Sequence, residues 1–229
     1  METKISDIFF DLDHTLWDFE KNSALAFETI LAKHQIGVDV PEFISHYVPI
    51  NLKYWELFRK DTITQQELRY GRLKEVFDLL SYQIDDDTIY LLSEEYINYL
   101  PLNNHLFEGA IEILDYLKPK YRLHIITNGF TEIQNNKIRN SKLGDYFQTV
   151  TNSELAGVKK PNPIIFEYAL QQAKTTKENS IMIGDCIEAD VLGALDSGLD
   201  AILFSEKKCT VADRNIKQID HLLALKNYL

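Results

Sequence analysis

Ile5-Ser6-Asp7-Ile8-Phe9-Phe10-Asp11-Leu12-Asp13-His14-Thr15 is the stretch that decides the fold of this 229-residue chain. Residues 5–10 are short, apolar and β-rich, the signature of one buried strand. The run stops at two aspartates separated by a single leucine. Its possible partners all come later: Arg122–Thr127 (R-L-H-I-I-T), a weaker strand at 147–151, Ser180–Gly184 (S-I-M-I-G) and Asp200–Phe204. Between these runs the pattern predicts single helices at 109–118, 131–141, Pro163–Ala173 and 189–197. Strands alternating with single helices imply right-handed βαβ units and a parallel sheet. The first strand has no other partner and must join that sheet.

From about residue 22 to 99 the period is helical instead. Ala24, Phe27, Ile30 and Leu31 recur at three- and four-residue spacing, as do Leu68, Leu73, Phe77 and Leu80. Pro41 and Pro49 are expected to interrupt, residues 61–64 read as a turn, and Asp85-Asp86-Asp87 reads as a helix start whose charges suit the helix dipole. About four helices are predicted. The expected organisation is therefore an α/β core of residues 1–16 and 101–229, split by a helical insertion at 17–100.

Lys and Arg number 24 against 35 Asp and Glu, a formal charge of −11. That balance argues against a polymeric nucleic acid or an anionic membrane as partner, since both need clustered cations. A small phosphate is still admissible where a metal or a few placed cations invert the local field. At 45% hydrophobic and 26% charged, the composition is that of an ordinary globular protein. The two cysteines, Cys186 and Cys209, make no disulfide framework. No apolar run approaches the roughly 20 residues of a membrane span. A cytoplasmic protein with reduced thiols is expected, as a monomer or homodimer.

In a parallel α/β sheet, ligands bind beyond the carboxyl ends of the strands. Those ends carry Asp11 and Asp13, then Thr127 and Asn128, then Lys159-Lys160-Pro161, then Asp185 with Asp190 five residues on. The carboxylates of Asp11, Asp13 and Asp185, with Asp190 nearby, thus converge with the Thr127 hydroxyl and Lys160 on one edge. Close carboxylates raise one another's pKa unless a cation sits among them. Oxygen ligands of this kind suit Mg²⁺, which takes a phosphate oxygen as a further ligand. Such a site could neutralise the charge of phosphoryl transfer, with one carboxylate as covalent nucleophile.

The ordered set D-x-D-x-T, T-N, K-P and G-D-x(4)-D resembles the haloacid dehalogenase-like (HAD) hydrolase superfamily, over the whole chain, in its subgroup with a helical-bundle cap inserted after the first motif. The resemblance implies a Rossmann-like core with a cap, and Mg²⁺ as cofactor. Position by position, it implies that Asp11 is the nucleophile that becomes an aspartyl-phosphate. Asp13 would protonate the leaving alcohol and then activate water, while its carbonyl binds the metal. Thr127 and Lys160 would hold phosphoryl oxygens, Asp185 would bind Mg²⁺, and Asp190 would bind or support it. Dehalogenases of the family lack an acid at the position of Asp13, so phosphomonoester hydrolysis is expected here.

Residues 11–19 (D-L-D-H-T-L-W-D-F), 127–134 (T-N-G-F-T-E-I-Q) and 154–166 (E-L-A-G-V-K-K-P-N-P-I-I-F) resemble the pyrimidine nucleotidase branch, whose substrates are nucleoside 5′-monophosphates, modified pyrimidines included. A small phosphorylated metabolite, a nucleoside monophosphate above others, is the expected partner. Sugar-phosphate phosphatases, phosphoglycolate phosphatases and β-phosphoglucomutases share the pattern and are the rival reading. A non-catalytic binding module on the same fold is the rival of another class.

Several residues have plainer readings. Lys159 and Glu188 are expected to be solvated, His14 to face a loop, and Cys186 to be a small buried residue. Asn128 either touches the phosphate or shapes the turn. Tyr47, Tyr54 and Trp55 are expected in the insertion's core. Trp17 and Phe19 follow the nucleophile loop, and Trp17 in particular is a candidate surface on which a base stacks.

Overall fold

Strand β1 (Asp7–Phe10) is buried along its whole length, and the sheet grows outward from it in both directions. The structure, a computed structural model, describes residues 5–207 and 216–229, so Cys209 lies outside the described residues. After β1 the chain leaves for four helices: α1 (Phe19–Lys33), α2 (Val40–Arg59), α3 (Gln65–Leu79) and α4 (Asp86–Tyr99). It returns through α5 (Ala110–Leu117), β2 (Arg122–Thr127), α6 (Thr131–Asn140) and β3 (Phe147–Asn152). Then follow α7 (Ser153–Ala156), α8 (Pro163–Ala173), β4 (Ser180–Gly184), a π-helical turn (Ile187–Leu192) running into α9 (Gly193–Asp196), β5 (Asp200–Phe204) and β6 (Lys217–Ile219).

All pairings in the sheet are parallel, in the order β3-β2-β1-β4-β5-β6. The chain steps one way from β1 through β2 to β3, and the other way through β4 to β6. The carboxyl ends of β1 and β4 therefore flank the point where the winding reverses, where such sheets hold their ligands. Register brings Phe10 level with Ile125 and Ile183. Asp11 is consequently the first residue past the central strand, with Gly184 and Ile126 alongside. Beneath that edge the core is filled by Phe9, Ile126, Ile165, Phe166, Met182, Val191 and Leu203.

The chain divides into two compact units, one of residues 19–104 and one of the remainder on either side of them. The division falls after Asp18 and before His105, a few residues beyond the expected 16 and 101. The cause is local: Trp17 forms bridges with Asp13 and Leu106, and the Asp18 amide donates to the His105 carbonyl at 3.0 Å.

The helical unit is built from the residues its pattern marked. Asp39, Thr64 and Asp85 cap α2, α3 and α4, each accepting the amide three residues on, and Thr64 with Glu67 closes a reciprocal capping box. Pro41 sits in the first turn of α2, where its missing N–H is no loss. Pro49, expected to interrupt, lies inside α2. A proline there forfeits one intrahelical bond, and burial of Phe43, Tyr47, Ile50 and Asn51 along the same helix offsets it. Phe27 stacks on Tyr96 at 4.4 Å and meets Tyr47 edge-on at 4.5 Å, so Tyr47 is core as expected. Arg72 is buried among them, donating to Asn51 Oδ1 at 2.9 Å beneath the Tyr96 ring.

Three further differences from the sequence pattern concern short elements. Strand β6 has three residues and α7 four, too few to show a period. The helix expected at 189–197 begins as the π turn at Ile187, which carries Asp190. Among the described residues no helix is long and apolar enough to cross a membrane.

At the opposite end of β1 from Asp11, the fully buried Asp7 accepts from Ser6 Oγ (2.6 Å), Arg122 Nη2 (2.7 Å), Thr175 Oγ1 (2.7 Å) and His124 Nε2 (3.0 Å). Burial alone would raise its pKa, but these donors together hold it below the ordinary value. Burial pushes His124 down, against the pull of Asp7. A histidine whose folded pKa is depressed stabilises the fold fully above its unfolded value of 6.5 and loses that contribution as the pH falls below it. Lowering the pH from about 7 to 5 is therefore expected to reduce the Tm of the native protein more than that of His124→Gln, read by calorimetry.

Candidate active site

Lys160 lies just after the short α7, and its ammonium is buried at the carboxyl ends of the central strands. Its three N–H groups donate to Asp11 Oδ1 at 2.6 Å, Asp190 Oδ1 at 2.6 Å and the Ile126 carbonyl at 2.7 Å. The last bond ties it to the end of β2, so the sheet itself positions the charge. Burial would lower the Lys160 pKa, but the charges of Asp11 and Asp190 outweigh it and hold it above the ordinary lysine value.

Asp11 and Asp190 are placed by backbone contacts. The Asp11 amide continues the sheet ladder to the Ile183 carbonyl at 2.8 Å. Asp190 reaches back so that its Oδ2 accepts the Cys186 amide at 3.0 Å, while its own amide donates to the Cys186 carbonyl at 2.9 Å. Gly184 makes room for it: a Cβ there would lie 2.3 Å from Asp190 Oδ2. Asp185 receives the Thr15 hydroxyl at 3.4 Å.

Asp11, Asp185 and Asp190 each offer a carboxylate oxygen within 4.8 Å of the others. Burial first, and then the charges of Asp190 and Asp185 against the opposing Lys160, push Asp11 well above the usual carboxylate range. Asp185 is pushed up to about 7 by burial and by Asp190. Such repulsion is what a divalent cation relieves, and hard carboxylate oxygens fit Mg²⁺. Both Asp190 oxygens are already engaged, by Lys160 and by the Cys186 amide, which leaves Asp11 and Asp185 as the better placed ligands.

The Asp13 carboxylate stands outside this trio. Its Oδ1 accepts Lys137 Nζ at 2.6 Å and its Oδ2 accepts Gln134 Nε2 at 2.9 Å. Gln134 Nε2 also donates to Thr127 Oγ1 at 2.7 Å, and the Gly129 amide reaches the same oxygen at 3.1 Å. Two aspartates a single residue apart thus sit in separate environments. Gln134 and Lys137 were not among the residues singled out from sequence. The available signal was their three-residue spacing on a helix that starts just past the T-N loop, which puts both on one face.

Asn128, left open between the phosphate and the turn, and Trp17, a candidate stacking surface, both have protein partners here. Asn128 accepts the Lys160 amide at 2.7 Å and donates to the Lys160 carbonyl at 3.0 Å, so its side chain clasps the lysine loop. Trp17, read as a stacking surface for a base, is fully buried with the Lys137 ammonium 4.3 Å from its ring centre. An indole between the Asp11–Asp13 loop and a buried ammonium is a wall of the core. Glu188 is exposed, and Cys186, expected to be buried, is half-buried with its sulfur accepting the Ala189 amide at 3.4 Å. Lys159 is half-buried rather than fully solvated.

Residues 7–198 match the haloacid dehalogenase-like hydrolase family. The chain is 33% identical over 200 residues to the pyrimidine 5′-nucleotidase PynA of Streptococcus pneumoniae, covering 86% of this chain and 83% of that one. It is 31% identical over 193 residues to the pyrimidine 5′-nucleotidase YjjG of Escherichia coli, covering 84% and 82%. Among solved structures, the HAD-hydrolase YfnB of Bacillus subtilis superposes with a TM-score of 0.87 at 26% identity, over 98% of both chains. That protein is bound to magnesium in its crystal and shows interdomain movement.

Removing the central cation should leave buried carboxylates facing one another without compensation. Lys160→Ala is expected to lose about 3–5 kcal/mol of unfolding free energy, typical of breaking a buried ion pair from one side. Urea denaturation followed by circular dichroism, with chelator present, checks this.

Proposed function

The chain belongs to the haloacid dehalogenase-like hydrolases and is a phosphatase-type enzyme, and from that premise we propose that it hydrolyses nucleoside 5′-monophosphates through an aspartyl-phosphate on Asp11, with Mg²⁺. The observation that carries this reading is the division of labour between the two aspartates. Asp11 sits in the buried trio bonded to Lys160, while Asp13 is held apart by Lys137 and Gln134. Paired carboxylates in unlike environments are the arrangement that nucleophile and proton-transfer roles require.

Asp11 and Asp185, with the backbone carbonyl of Asp13, would hold the metal, and Asp190 would support it through Lys160. The bound ion would offset the charge of the phosphoryl oxygens and of the carboxylates around them. An Asp11 carboxylate oxygen bonds to phosphorus as the phosphorus–oxygen bond to the leaving group breaks. The leaving oxygen takes that electron pair and a proton from Asp13, and departs as the alcohol. Asp13, now a carboxylate, then accepts a proton from water as the water oxygen bonds to phosphorus. The bond to Asp11 breaks, inorganic phosphate leaves, and both aspartates return to their starting states. Throughout, Lys160 balances the charge on Asp11 and steadies its orientation.

The similarity to two pyrimidine 5′-nucleotidases supports a nucleoside monophosphate as substrate. The acid at position 13 supports ester hydrolysis over attack on a carbon–halogen bond, whose halide leaves without a proton.

Hydrolysis of p-nitrophenyl phosphate is expected with Mg²⁺ and is expected to vanish with chelator. Asp11→Asn should reduce turnover to background while its circular dichroism spectrum stays native. Turnover retained in that variant removes the covalent route. Across a panel of phosphorylated metabolites, kcat/KM should be highest for pyrimidine nucleoside 5′-monophosphates. A preference for sugar phosphates or phosphoglycolate would overturn the substrate and leave the phosphatase.

A further inference from the structure

Among the described residues Lys137 and Lys160 are the buried lysines, and nothing in the reaction proposed above uses Lys137. A buried ammonium is unfavourable unless it is paired. Its Nζ lies 2.6 Å from Asp13 Oδ1 and 4.3 Å from the centre of the Trp17 ring. Gln134, three residues earlier on α6 and also buried, takes the other Asp13 oxygen at 2.9 Å. Each oxygen of one carboxylate thus has its own donor, both presented by one face of one helix, and the pair resists rotation of the carboxylate about its last bond.

Two further features of the chain serve this arrangement. Gly129 is needed for Gln134 to pass, since a Cβ there would lie 2.3 Å from Gln134 Nε2. The turn after Asp13 is closed by the Trp17 amide donating to the Leu12 carbonyl at 2.8 Å and by the His14 amide donating to the Trp17 carbonyl at 3.0 Å, with His14 at a φ of 62°. That turn brings the indole against the same ammonium that grips Asp13. The aspartate, its lysine and the wall behind the lysine are therefore one assembly.

We propose that Gln134 and Lys137, backed by Trp17, are positioning residues that aim the Asp13 carboxylate at the leaving-group oxygen. The inference rests on the role of Asp13 as proton donor proposed above. Proton transfer in a transition state needs the donor within hydrogen-bond reach and in line. A carboxylate free to turn on a loop would meet that geometry only part of the time. The fork from α6 restricts it, and through Gln134 Nε2 it couples Asp13 to Thr127 Oγ1 at 2.7 Å, so donor and phosphoryl-binding hydroxyl share one anchor.

The test uses leaving groups that differ in their need for a proton. For p-nitrophenyl phosphate the phenolate leaves unaided, whereas uridine 5′-monophosphate expels an alkoxide that must be protonated. The value of kcat/KM reports the steps up to cleavage of the phosphorus–oxygen bond and is measured for both substrates. In Asp13→Asn the uridine-to-aryl ratio should fall by about 10²–10⁴, the usual worth of general acid catalysis. In Lys137→Met and Gln134→Leu it should fall by about tenfold or more, and Lys137→Arg should recover part of it. Thermal melts accompany each variant. Should Lys137→Met not fold, Gln134→Leu and Lys137→Arg carry the same comparison. Equal losses on both substrates in the α6 variants, or no loss, beside a lowered ratio in Asp13→Asn, overturn the positioning role alone. A ratio unchanged in Asp13→Asn overturns the proton-donor role and the clamp with it.

Discussion

The ammonium of Lys160, held by Asp11, Asp190 and the Ile126 carbonyl, is the contact on which the rest of the site depends. Three acidic groups within 4.8 Å of one another at the buried edge of a sheet repel strongly. Without a cation the arrangement would relax by protonation or by movement. Lys160 supplies one fixed charge, and it does so from a loop whose backbone is clasped by Asn128 on both sides of the same residue. Ser153 Oγ in turn donates to the Asn128 carbonyl at 3.1 Å. The chain of supports runs from the end of β2, through the lysine loop, to Asp11 at the end of β1.

One fixed charge against three carboxylates leaves the site short of positive charge. Burial and that shortfall together push Asp185 up to about 7 and Asp11 well above the usual carboxylate range. A site so arranged favours a divalent cation and, with it, a phosphate. The acidic balance of the whole chain, −11, is thus compatible with binding a small anion. The local field is inverted only where the lysine and a metal meet, and the remaining surface still disfavours a polymeric polyanion.

Much of the fold was legible because strand and helix periods are local. The bounds of β2, β4, β5 and α8 coincide with the runs read from sequence. The parallel sheet followed from their alternation. Elements without a period of their own were not legible: β6 with three residues, α7 with four, and the π turn at Ile187, which a helical pattern cannot distinguish from an α-helix. Pro49 was misleading for a related reason, since a proline's effect on a helix depends on what the helix buries elsewhere.

For the site, the strand-end rule brought Asp11, Lys160, Asp185 and Asp190 to one edge from sequence alone, because the carboxyl end of each strand is fixed once the strands are parallel. What surrounds Asp13 was beyond that rule. Gln134 and Lys137 lie on a helix whose rotation about its axis is set by packing, and Trp17 finds its ammonium partner 120 residues further along the chain. The partner of a side chain across such a separation is decided by how helices and loops settle on the sheet, so only the tertiary structure could join Trp17 to Lys137 and both to Asp13. The sequence determined which acids stand at the sheet edge; the packing of α6 decided which of them is held apart from the others.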